Sequence, residues 1–228
     1  MKTVVGGMLL AGACWNSAAA DEIAPLSPEA RAAMRGSSWS AGCPVSLDDL
    51  AAVEVRFIGF DGEEHGGTIV VHEQLAREVA AIFEQLRAAK FPIGTVAPWE
   101  QYGARVYAEK NVTTGFYCET AQDDPGEWSS HAYGYAIDVN PLLNPFHDPS
   151  SGWWPSPAAA NAPRDDAPGK ISPGSAAFAI FAAHGWAWGG FETGDVDYMH
   201  FIKVTYGSEA AYPDRPYAAE SLEYRSTD

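Results

Sequence analysis

Between Val53 and Leu86 the apolar residues change from a spacing of two to one of three and four, and this limits the fold more than any other feature. Val53, Val55 and Phe57 alternate with Glu54 and Arg56, the pattern of a half-buried strand. Asp61-Gly62 offers a turn, a loop through His65 to Gly67 is expected, and Thr68-Ile69-Val70-Val71 reads as the returning strand. Leu75, Val79, Ile82, Phe83 and Leu86 then line one helical stripe, which Pro92 stops. The pattern predicts an α+β domain with a small, mainly antiparallel sheet and flanking helices.

Further along the chain the elements are shorter. Thr95 to Thr120 carries turn residues and brief aromatic runs, while Tyr135 to Val139 reads as a strand with Asp138 on the face opposite Tyr135, Ile137 and Val139. Residues 144–170 are rich in Pro, Asn, Asp and Gly and predict an extended surface loop. Gly174 to His184 predicts a helix ended by Gly185, and Trp186–Trp188 and His200–Tyr206 complete the sheet. With 228 residues, 46% of them hydrophobic, one well-packed domain is expected. Its bounds are residues 41–212, after a linker or arm at 21–40 rich in Pro, Ser and Ala, and before a polar tail at 213–228.

Residues 1–20 have the form of a secretion signal. Lys2 precedes an apolar stretch from Val4 to Ala13, and Ala18-Ala19-Ala20 fits a cleavage site. The stretch is too short to cross a bilayer, and no later run is longer. Cys14 is poorly placed for a lipid anchor, so a secreted or periplasmic location is expected. Cys43 and Cys118 then remain, and two thiols in an exported chain predict one disulfide rather than two separate buried thiols. A net charge of −16 without a basic patch argues against nucleic acid as partner. A monomer is expected.

Six histidines are present, and His65, His72, His147 and His184 have no company that suggests chemistry. His131 and His200 differ. Ser129-Ser130-His131-Ala132-Tyr133-Gly134 leads into Asp138, and Asp195-Val196-Asp197-Tyr198-Met199 leads into His200. Two imidazoles and one carboxylate, His131, His200 and Asp138, suit Zn²⁺ and leave a fourth position for water, as catalytic zinc sites do. Hydrolysis also needs a proton acceptor beside that water, and Asp197 is better spaced for it than Asp195. Spacing alone leaves open a plainer reading, polar turn residues beside a strand.

The longer strings "WSSHAYGYAIDVNPLLNP", "GWAWGG" and "DYMHF" resemble the VanY-like D-alanyl-D-alanine carboxypeptidases. These belong to a zinc peptidase superfamily that includes L-alanyl-D-glutamate endolysins and the hedgehog-type fold. The family pattern S-x-H-x-x-G-x-A-x-D, then an acidic residue three before a second His, is met at Ser129, His131, Gly134, Ala136, Asp138, Asp197 and His200. "GCPVSLDDL", "FIGFDGEEHGGTIVVH" and "FPIGTV" extend the likeness to about residues 41–205. The resemblance implies that His131, Asp138 and His200 bind Zn²⁺, that Asp197 is the general base, and that Ser129 helps hold the substrate. The substrate would be a peptidoglycan stem peptide, with terminal D-Ala-D-Ala as the leading bond.

Two departures bear on that reading. Where relatives carry "NTSAFNCR", this chain has Tyr117 in place of an Asn and Glu119 in place of an Arg. Arg105 is the remaining candidate for the arginine that stabilises the developing oxyanion in this family. Without such a cation, transition-state stabilisation of about 3 kcal/mol would be missing. An L-Ala-D-Glu or crossbridge endopeptidase, and a zinc-stabilised wall-binding module without turnover, are the competing readings. Trp186 and Trp188 are expected in the core behind the metal, and Trp153 and Trp154 in a cleft wall.

Overall fold

A computed structural model describes residues 22–103, 106–121, 126–192 and 194–203. The expected signal segment, Arg105 and the tail from 213 lie outside the described residues. Strand β1 (Ile23–Pro25) pairs antiparallel with β2 (Leu50–Ile58), and between them runs helix α1 (Pro28–Met34). Ser27 caps α1 by accepting from Ala30 N–H, and Pro28 supplies the fixed φ of a first helical turn. Leu26 and Met34 bury themselves against Leu47, Leu50, Val70 and Phe116. The stretch expected as a linker or arm is therefore, from residue 22 onward, packed structure. Its small residues hid the two apolar anchors.

Strand β3 (Glu64–His72) returns along the whole of β2, so the expected loop through His65 to Gly67 is strand instead. The turn spans only Gly59 to Glu63, closed by Gly59 N–H donating to Glu63 O at 2.8 Å. Cross-strand pairs outweigh the poor strand propensity of the glycines here: Arg56 bonds Glu64 at 2.8 Å, and Phe57 stacks on His65 at 5.7 Å. Helix α2 (Ala76–Ala88) lays Val79, Ile82, Phe83 and Leu86 on the face that holds Val53, Val55, Phe57, Ile69 and Val71.

A short parallel pair, β4 (Thr95–Val96) and β5 (Val112–Thr113), brackets α3 (Val106–Glu109). Strand β6 (Ala136–Asp138) follows, then a hairpin of β7 (Phe146–Asp148) and β8 (Gly152–Trp154) inside the expected loop. Helix α4 (Ala176–Ala183) ends before Gly185, and β9 (Trp186–Trp188) and β10 (His200–Lys203) close a second antiparallel sheet in the order β6-β10-β9. Phe181 of α4 stacks on Phe201 of β10 at 4.0 Å, and Trp186 and Trp188 are buried beside them. One apolar core thus joins both sheets to α2 and α4. The architecture is the expected α+β, mostly antiparallel single domain.

Candidate metal centre

Strand pairing explains why two residues far apart in sequence meet. In the antiparallel register of β6 and β10, Asp138 lies directly opposite His200 and Ile137 opposite Phe201. Alternation sends Ile137 and Phe201 into the core and leaves Asp138 and His200 together on the other face. On its far side β6 bonds Thr114, which donates to Asp138 O at 3.1 Å and accepts from Asp138 N–H at 2.9 Å.

His131 arrives from a turn of 3₁₀ helix, Ser130–Tyr133. Ser129 caps that turn, its Oγ accepting from His131 N–H at 3.3 Å. Gly134 ends it at φ +72°, and a Cβ there would lie 2.5 Å from the amide nitrogen of His72. Only glycine satisfies both the left-handed backbone and that contact. His131 Nδ1 donates to the carbonyl of Gly115 at 2.7 Å, so Nε2 presents its lone pair. Gly115 can sit there because it passes against β3: a Cβ would come within 2.4 Å of Val70 O.

His131 Nε2, Asp138 Oδ1 and His200 Nδ1 form a triangle with edges of 3.1 to 3.2 Å. His131 and Asp138 are buried, and His200 is nearly so. With Nδ1 of a neutral His131 donating to Gly115, Nε2 and Asp138 Oδ1 face each other as two lone-pair atoms at 3.2 Å, an arrangement that a cation between them would relieve. A tetrahedral zinc with bonds of about 2.0–2.1 Å spaces its ligands about 3.3 Å apart, close to what these residues provide. The donor set fits a divalent metal ion. Among the described residues it is the group that could hold one.

The surroundings tune the three. Ser130 Oγ lies 3.0 Å from His200 Nε2, which leaves Nδ1 for the triangle. Tyr107 and Tyr117 both donate O–H to Asp138 Oδ2, at 3.1 and 3.2 Å. Burial, then the charge of Asp138, pushes both phenols well above their ordinary range, so they stay protonated donors. Burial alone would raise the Asp138 carboxyl as well. The adjacent imidazoles of His131 and His200 outweigh it and hold Asp138 well below the usual carboxylate range.

Asp197 is part-buried beside this cluster. Its backbone N–H donates to Gly189 O at 3.0 Å, and its Oδ1 accepts from Met199 N–H at 3.3 Å. Burial, then the charges of Asp138 and Glu192, push its carboxyl well above the ordinary aspartate range, against the pull of the Met199 and His200 amides. A carboxyl so placed is readily protonated, which suits a group that must take up and return a proton.

Of the residues predicted from sequence, His131, Asp138 and His200 converge and Asp197 flanks them. Ser129 is engaged as a cap. Cys43 and Cys118 form the expected disulfide, with Cα atoms 5.9 Å apart. Trp153 and Trp154 are half-buried on β8, where Trp153 stacks on Tyr198 at 5.8 Å and Trp154 leans on Tyr107 at 5.6 Å. Sequence reasoning missed Tyr107, Ser130 and the carbonyl of Gly115. Tyr117 was visible only as a departure from a family pattern.

Among the other cations of this region, Arg164 is taken up entirely. It bonds Asn144 Oδ1 and the carbonyls of Leu143, Asn161, Ala162 and Ile171, and it covers the ring of Tyr198 at 4.1 Å.

No curated protein matches the chain, and no solved structure does. The likeness read from residues 41–205 is supported over a shorter span, which excludes the hairpin of β2 and β3. Residues 122–203, which contain His131, Asp138, Asp197 and His200, match the D-alanyl-D-alanine carboxypeptidase family.

Proposed function

We propose that the protein is an exported zinc peptidase acting on peptidoglycan stem peptides, with removal of the terminal D-alanine as its leading reaction. The observation that carries this reading is the ligand triangle of His131, Asp138 and His200 with Asp197 at its side. The family match points the same way. An ion held there would supply Lewis acidity, polarising the scissile carbonyl and making water a better nucleophile. Asp197 takes the proton from the attacking water and delivers it to the leaving amine. Ser129 accepts from the His131 amide and keeps its hydroxyl proton to donate to a substrate oxygen. The disulfide is in keeping with export.

One observation favours a second reading, an endopeptidase. Glu119 is exposed, and its backbone carbonyl accepts from Ser129 N–H at 3.0 Å. Partial desolvation of its carboxyl raises it against the opposing charge of His131, and the charge of Asp138 adds to the rise, which ties it electrostatically to the cluster. An acidic group at that rim opposes a substrate whose own carboxylate must lie beside the scissile bond.

Incubating the protein with purified stem peptides and with crosslinked dimers, with and without chelator, separates the readings. Released D-alanine, lost on chelation and restored by Zn²⁺, is expected. New internal amino termini without D-alanine would favour the endopeptidase. No product under any metal condition would sink both and leave a wall-binding module.

A further inference from the structure

We infer that Tyr107 and Tyr117 are positioning residues that clamp Asp138 Oδ2, hold the carboxylate as a one-oxygen ligand, and so set how tightly the site binds its metal. The inference rests on the metal-site reading above. A carboxylate with both oxygens free can bind an ion through one or both, and can rotate between these modes. Here the two phenol O–H groups reach the same oxygen, at 3.1 and 3.2 Å, while Oδ1 faces the imidazoles. Two donors on Oδ2 occupy the lone pairs that a second metal bond would need.

Tyr117 does more than donate. Its ring lies on the imidazole of His131, centroids 4.1 Å apart and planes 19° apart, so one side chain orients two of the three ligands. Both tyrosines are braced from behind. Trp99 stacks on Tyr117 at 5.9 Å and Trp154 leans on Tyr107 at 5.6 Å. Tyr107 is 3% exposed and donates a hydrogen bond to Asp138. Such partners behind a metal ligand typically govern affinity by about 10–100-fold.

The test is a Co²⁺ and Zn²⁺ titration of the full chain against a competing chelator, for wild type, Tyr117→Phe, Tyr107→Phe and the double variant. The Phe variants keep the stacked rings and lose only the O–H. Each single change should weaken binding about tenfold and the pair about 100-fold. The visible Co²⁺ absorption should weaken as the released oxygen raises the coordination number. Phe variants with wild-type circular dichroism, affinity and Co²⁺ spectrum would overturn the inference and leave the metal reading standing. A wild type that takes up no metal would overturn both. If Tyr107→Phe does not fold, Tyr117→Phe decides alone, since its ring is part-exposed and its stacking is retained.

Discussion

Ser130 Oγ sits 3.0 Å from His200 Nε2, so the residue before one ligand orients the ring of another. Ser130 is itself buried, so its hydroxyl is held where it meets that ring. Ser130→Ala should lower Zn²⁺ affinity about tenfold while costing only about 1 kcal/mol of stability. Chelator competition and urea unfolding, run side by side, separate these effects. Equal affinity in both proteins would remove Ser130 from the site.

The triangle makes metal binding a folding term. An ion that binds the native chain at 100 times its Kd adds about 2.7 kcal/mol of stability. Wild type should therefore melt higher in excess Zn²⁺ and lower in chelator. His131→Ala, which removes one edge of the triangle, should abolish the shift. A shift of undiminished size in that variant would place the ion elsewhere.

Asp197 is the proton carrier in the proposed reaction, and it is not among the three converging ligands. Asp197→Asn should cut kcat by about 10²–10⁴-fold while one equivalent of metal is still bound. Steady-state kinetics and metal analysis of the same preparation check both parts. Loss of the metal together with activity would reassign Asp197 as a ligand.

These residues differ in how legible they are from sequence. His131, Asp138 and His200 are legible because metal ligands are few in kind, and because Asp138 falls on a short apolar alternation that predicts a strand. The strand pairing that sets Asp138 opposite His200 is not legible, since register depends on the partner strand. The hairpin shows the same limit. Gly66 and Gly67 look like loop, but Arg56 and Phe57 on the neighbouring strand hold their segment extended. Tyr107 and the Gly115 carbonyl carry no local signal at all, because their roles exist only once three separate segments meet at Asp138 and His131.

The disulfide joins Cys43 to the residue after Tyr117, closing 75 residues of sequence. Breaking it should cost about 2–5 kcal/mol, through a less constrained unfolded chain. Because Tyr117 stacks on His131, the loss should also loosen the metal site. A Cys43→Ala/Cys118→Ala variant should unfold at lower urea and bind Zn²⁺ more weakly. Unchanged metal affinity in a destabilised variant would confine the bridge to stability.

The segment expected as an extended surface loop is anchored at its start by a fully buried amide. Asn144 Nδ2 donates to the carbonyls of Val139, Asn140 and Gly169 at 3.0 to 3.2 Å, and its Oδ1 accepts from Arg164 and from Ile171 N–H, both at 2.8 Å. One side chain thus ties both ends of residues 144–171 to Val139 and Asn140, the two residues that follow the strand bearing Asp138. Arg164, oriented by Asn144, covers Tyr198, two residues before His200. Asn144→Ala strands buried donors and acceptors and should cost about 3 kcal/mol. It should also speed proteolytic cleavage within the segment, since its closing anchor is gone. Urea unfolding and limited proteolysis with mass spectrometry read both effects. A variant as stable and as resistant as wild type would mean that the β7–β8 hairpin, through His147 N–H bonding Val196 O at 2.8 Å, holds the segment without the amide.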